Sequence, residues 1–139
     1  MWNKRASTFD RIRKFLLNIE LEIAENQAEL EKQKARVEKY TNGNSKRAID
    51  GFAKAFIEVK NIEIYIDALT KLKDEFMNRV NDILIKYQPK QTQIILSYVL
   101  NKTPKEQIAS SMGISLEEIN SCLKSFSKDM YYNKVFDFD

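Results

Sequence analysis

The chain contains no histidine and a single cysteine, Cys122. That excludes histidine acid–base chemistry, cysteine-rich zinc sites, Cys–His nucleophiles and a disulfide within the chain. Three glycines (Gly43, Gly51 and Gly113) and two prolines are too few for the turns of an all-β protein of 139 residues, so the reading is all-α. Glycines this far apart cannot build a phosphate-cradling loop. No apolar run approaches the ~18 residues of a membrane-spanning helix. The N-terminus, Met-Trp-Asn-Lys-Arg-Ala-Ser, lacks the apolar core of a secretory signal. With a lone cysteine suited to a reducing compartment, the expectation is a cytoplasmic protein that does not engage a membrane. The 20 acidic residues are scattered over helical surfaces and give no reason to choose a catalytic pair. No enzyme activity, metal or cofactor is therefore expected.

What the chain does have is charge and helical periodicity. Charged residues make up 31% and apolar residues 43%, enough for a solvated surface and a core. Residues 9–40 carry an apolar stripe: Phe9, Ile12, Leu16, Ile19, Ile23, Asn26, Leu30, Gln33, Val37 and Tyr40. The steps alternate between three and four residues, as in the a/d positions of a heptad repeat. Asn26 and Gln33 interrupt the seam. Either they set register or partner number, or the seam is only half-buried there.

The segment Thr41-Asn42-Gly43-Asn44-Ser45 breaks the chain, with Asn and Gly suited to a left-handed helix end and Ser45 to the next N-cap. A second stripe follows through Val59, Ile62, Ile66, Leu69, Phe76, Val80, Ile83 and Tyr87, extended upstream by Ile49, Phe52 and Phe56. Pro89 is expected to stop it. At ~1.5 Å per residue these helices would be about 50 and 65 Å long. A short loop makes them antiparallel neighbours, a coiled-coil-like hairpin over residues 1–88. Phe15, Leu17, Leu21, Ile57, Ile64 and Leu72 widen the apolar surface beyond the seams. A second copy of the hairpin or the C-terminal module is expected to cover it. Mid-helix, Gly51 marks either a close crossing or a tolerated residue, and toleration is the safer reading.

Residues 89–139 behave as a second module. Gln91 to Leu100 reads as one helix. Thr103 and Glu106 form a capping-box pattern, and Pro104 falls at the first helical position. A helix from Lys105 to Ser111 ends at Gly113. Ser115 and Glu118 repeat the capping pattern and open another helix, through about Ser127. Two short helices about a glycine turn make a helix-turn-helix. Ala109 supplies a small residue at the crossing, and Gly113 the turn. Ile114 plugs that turn, and Ile119, Cys122 and Leu123 supply a buried face.

The stretch Ile94-Ile95-Leu96-Ser97-Tyr98, Thr103-Pro104-Lys105-Glu106-Gln107-Ile108-Ala109, Met112-Gly113-Ile114-Ser115, Ile119 and Leu123 resembles region 4 of bacterial sigma-70 factors. With long charged helices in front, the chain is similar to small phage-encoded transcriptional regulators of the RinA and ArpU kind. The motif match spans about residues 91–127; the hairpin matches in layout alone. The resemblance implies regulation of phage or mobile-element genes through promoter or operator DNA, RNA polymerase, or both. Thr103 and Lys105 would lie near the DNA backbone, and Ser115, Glu117, Asn120, Ser121 and Lys124 would enter the major groove. A homodimer through the long helices would want half-sites ~34 Å apart, or a multiple of that.

Charge pulls the other way. Residues 89–139 hold six bases and six acids, whereas residues 1–14 hold five bases and one acid. A neutral module releases few counterions from DNA but can still make specific contacts. Asn120 suits adenine, Lys124 guanine or phosphate, and Glu117 cytosine, although Glu117 and Glu118 also suit any helix start. The basic N-terminal run is a phosphate contact only if it faces residues 115–124. Cys122 reads as a small buried hydrophobe. Tyr131 and Tyr132 are expected to pack, Phe136 and Phe138 either to pack or to dock a partner, and Trp2 to be a loosely held terminus. Two further functions stay open. One is a protein-interaction module that binds RNA polymerase, a sigma factor or another host or phage protein without reading DNA. The other is a purely structural coiled coil.

Overall fold

A computed structural model describes residues 7–41, 43 and 45–136. Trp2, Lys4, Arg5, Asn42, Asn44 and Phe138 lie outside the described residues. Every regular element among the described residues is a helix: α1 (Thr8–Thr41), α2 (Lys46–Leu84), α3 (Pro89–Val99), α4 (Lys105–Met112) and α5 (Leu116–Tyr132). Leu, Glu, Lys, Gln, Arg and Ala dominate α1, α2 is held by its repeating apolar positions, and no proline interrupts either. Each starts on a serine: Ser7 Oγ accepts from the Asp10 N–H, and Ser45 Oγ from the Ala48 N–H, both at 3.1 Å. None of these helices is long and apolar enough to cross a membrane.

The chain divides into two compact units, one of residues 17–74 and one of residues 1–16 with 75–139. These boundaries run through α1 and α2. The reason is in the packing: the first turns of α1 and the last turns of α2 supply core residues to the unit that holds α3–α5.

In the unit of residues 17–74, α1 and α2 run antiparallel. The Tyr40 ring lies on Gly51, the Tyr65 hydroxyl donates to Glu22 at 2.9 Å, and Lys73 pairs with Glu20 at 3.2 Å. The seam buries Ile19, Ala55, Val59, Ile62 and Leu69. Gln33 is buried too, at 6% exposure, and satisfies itself within α1. Its amide donates to Glu29 at 2.8 Å and its oxygen accepts from Arg36 at 3.3 Å. Asn26 is half-buried and donates to the Glu22 carbonyl at 2.7 Å. These bonds lie within one helix, so they relieve buried polar atoms without specifying a register.

The other unit is built on one apolar cluster. Ile12 of α1, Phe76, Val80 and Ile83 of α2, Ile94, Ile95 and Val99 of α3, Ile108 of α4, and Ile119, Leu123, Phe126 and Met130 of α5 are all buried in it. Phe15 and Phe76 meet at 4.4 Å between ring centroids, and Phe136 closes on Phe76 at 5.4 Å. Two expectations need correction here. Pro89 does not stop α2, which ends at Leu84; it opens α3 at the first helical position, where its missing N–H leaves no bond unmade. Tyr131 and Tyr132 do not pack, at 73% and 75% exposure, while Val135 is buried and Phe136, left open between packing and docking, joins the cluster.

Candidate nucleic-acid interface

Helices α4 and α5 are joined by Gly113, Ile114 and Ser115. Gly113 sits at φ 65°, ψ 38°, the left-handed region that glycine enters without steric cost. The Ile114 N–H then closes on the Ala109 carbonyl at 3.1 Å, and Ile114 turns onto the core beside Ala109 and Met112. Ser115 caps α5, its Oγ accepting from the Glu118 N–H at 3.1 Å. The Glu118 side chain does not return the bond; it reaches Lys90 of α3 at 3.4 Å. At α4 the expected Thr103–Glu106 box is absent. The helix starts at Lys105 behind an extended Pro104, with no side-chain cap, and the Thr103 N–H donates to the Ser97 carbonyl at 3.0 Å.

One face of α5 is committed to the core: Ile119, Cys122, Leu123, Phe126 and Met130. Glu117, Asn120, Ser121 and Lys124 are exposed at spacings of three and four, so they share the outer part of the helix. Ser121 lies at its edge, where it lines a groove of about 190 Å³ with Lys90, Gln91, Glu118 and Ser125. Ser115 is exposed at the start of this surface, while Thr103 and Lys105 are half-buried. The Lys105 ammonium stands 5.5 Å from the Tyr98 ring centroid, a cation–π placement.

Sequence reasoning ended this helix at Ser127 and so missed Lys128. The helix continues to Tyr132. Lys128, exposed four residues beyond Lys124, extends the same surface. Neither lysine has an ion pair among the described residues. The helical spacing from Ser121 through Lys124 was the signal available for it.

Arg11 and Arg13 are occupied in packing. Arg13 donates to the carbonyls of Tyr98 and Val99 at 2.5 and 3.2 Å, and its guanidinium stands 4.7 Å from the Tyr98 ring centroid. Arg11 stands over Phe136 at 4.2 Å. Tyr87 holds α5 from the chain after α2: its hydroxyl donates to Asp129 Oδ2 at 2.5 Å and lies 3.2 Å from Ser125 Oγ. Burial, helped by the hydrogen bond to Asp129, pushes the Tyr87 phenol up to about 12. Burial, with Glu118 nearby, also raises the Cys122 thiol, whose Sγ lies 3.6 Å from the Gln91 carbonyl. A thiol held protonated is a poor nucleophile.

No family model, curated protein or solved structure matches the chain.

Proposed function

We propose that this chain is a cytoplasmic, non-enzymatic regulator of phage or mobile-element transcription, with α4, its turn and α5 serving as a sigma region 4-like helix-turn-helix that reads promoter DNA. The observation that carries the reading is the surface of α5. Its apolar side is spent on the core. Beyond a left-handed Gly113 turn, Asn120 and Lys124 are exposed on residue types that pair with base edges. Lys128, farther along the helix, supplies a phosphate contact. The long helices pair two copies of the chain.

The test is footprinting and gel shift on DNA upstream of the chain's own operon, with and without RNA polymerase. Specific binding is expected, with Asn120→Ala and Lys124→Ala each weakening it about tenfold. Lys128→Ala should weaken specific and non-specific DNA alike and flatten the salt dependence. No binding at low salt, alone or with polymerase, overturns the reading.

One set of observations favours a second reading, a module that binds RNA polymerase or another host or phage protein. Residues 89–139 carry no net charge, Arg11, Arg13 and Lys105 are held on aromatic rings, and Tyr131 and Tyr132 are exposed side by side. A stoichiometric protein partner that survives nuclease treatment distinguishes it from the first.

A further inference from the structure

The hairpin of residues 17–74 is electrically polar along its length. The pairing of Tyr40 with Gly51 and of Glu20 with Lys73 sets which segments lie side by side. The half that contains the turn, residues 32–60, holds eight bases and three acids, a net of +5. The other half, residues 17–31 with 61–74, holds eight acids and two bases, a net of −6. Within one hairpin each half therefore carries an unbalanced charge that its own partner helix does not neutralise.

Each half also leaves large apolar side chains in water. In the basic half these are Ile49, Phe56 and Ile57, at 59%, 45% and 57% exposure. In the acidic half the aliphatic ones are Leu17, Leu21 and Ile64, at 48%, 50% and 68%, with the Tyr65 ring beside Ile64 in sequence at 47%. Isolated exposed apolar residues are ordinary, but a trio in each of two oppositely charged halves is the pattern of an unfilled interface.

We infer that this outer surface binds a second copy of the chain in antiparallel orientation, the basic half of one hairpin against the acidic half of the other. A second copy supplies an acidic surface with apolar residues opposite every basic one, and two-fold symmetry satisfies both halves at once. A parallel copy would set +5 against +5 and −6 against −6. Nucleic acid would answer the basic half but would repel the acidic one and leave its leucines exposed. The size also suits. Two helices about 37 Å long and ~10 Å wide present roughly 700 Å², close to the ~800 Å² per partner of a stable interface.

The inference rests on the pairing of two copies in the proposed function and not on DNA reading, so it is tested with no DNA present. The full chain is expected to sediment as a dimer at ~10 µM and to dissociate about tenfold more readily when salt rises from low to ~0.5 M. Glu25→Lys with Glu31→Lys should weaken self-association about tenfold or more, and so should Lys34→Glu with Lys54→Glu. All four side chains are exposed and outside any ion pair among the described residues. Mixing the two variants should restore a one-to-one heterodimer. Circular dichroism separates loss of pairing from loss of helix; for a variant that unfolds, Leu21→Gln replaces the charge reversals. Orientation is read from spin labels on Lys46→Cys in a Cys122→Ala background, expected roughly 35 Å apart or more and not side by side.

A wild-type chain that stays monomeric at ~100 µM overturns the inference. So does a dimer indifferent to both charge reversals, or one whose labels at position 46 are adjacent. The Lys124→Ala variant must still dimerise, which keeps a failure of DNA reading apart from a failure of pairing.

Discussion

The ring of Tyr40 occupies the space a Cβ on Gly51 would need: Cε2 and Cζ both lie 2.9 Å from that position. A glycine in mid-helix is disfavoured by ~1 kcal/mol relative to alanine, and here the missing side chain leaves room for the Tyr40 ring of α1. The sequence alone made toleration the safer reading because a pattern of residue types does not reveal what crosses a helix. Gly51→Ala should gain less in urea titration than the ~1 kcal/mol of helix propensity, because the half-buried Tyr40 ring must shift to admit the methyl. In a Tyr40→Ala background the full gain should appear. The difference across the double-mutant cycle checks the contact itself.

Arg13 closes the end of α3. The last carbonyls of a helix have no partner within it, and Arg13 supplies donors to those of Tyr98 and Val99 while its guanidinium stacks on the Tyr98 ring. Arg13→Ala should cost about 2 kcal/mol, the sum of charge-assisted bonds and lost stacking at a partly exposed site. Arg13→Lys should recover less than half of that, because an ammonium cannot fork between two carbonyls while standing over the ring. Thermal denaturation of the two variants checks the order.

The long helices were legible in the sequence because the a/d spacing in residues 9–40 is a property of one strand of chain, independent of what it meets. Ser45 and Ser115 were legible as caps for the same reason. Pro89 was ambiguous, since proline both ends one helix and opens the next, and only packing decides where α2 stops. Thr103 and Glu106 matched a capping pattern that α4 does not use, because the Thr103 N–H is drawn back to Ser97. The outward residues of α5 followed from its caps and apolar spacing. Engagement of Arg11, Arg13 and Lys105 by rings did not, because those rings come from distant sequence or another helix.

The tail shows most clearly what sequence pattern leaves out. The Lys134 N–H donates to the Tyr131 carbonyl at 3.2 Å and the Val135 N–H to the Met130 carbonyl at 3.4 Å, the bonding of a Schellman turn. The residue that takes the left-handed conformation is Lys134, at φ 50°, where glycine is the usual signal. Without that glycine the turn is invisible in the sequence, and so is the reversal that buries Val135 and Phe136. Lys134→Gly should therefore raise stability by about 1 kcal/mol by relieving a non-glycine residue at positive φ. Equilibrium denaturation at neutral pH checks the direction, and Lys134→Val should move it the other way.

Tyr87 gives the fold a dependence on alkaline pH. Its phenol is raised from an ordinary value of 10 to about 12, chiefly by burial and then by the hydrogen bond to Asp129. A group whose folded pKa is raised contributes stability in full below its unfolded pKa and loses it as pH climbs through the folded one. The contribution of Tyr87 is thus complete below pH 10 and gone above about 12. Partial solvent access reduces its size to about 1 kcal/mol. Wild type and Tyr87→Phe should differ by a constant amount in urea titrations up to pH 10, and the gap should close between there and pH 12. In the absorbance titration of the six tyrosines, the substitution should remove a late-ionising phenol. A gap that stays constant through this window, or a tyrosinate signal unchanged at its alkaline end, would show that burial and the bond to Asp129 together do not hold the proton on Tyr87.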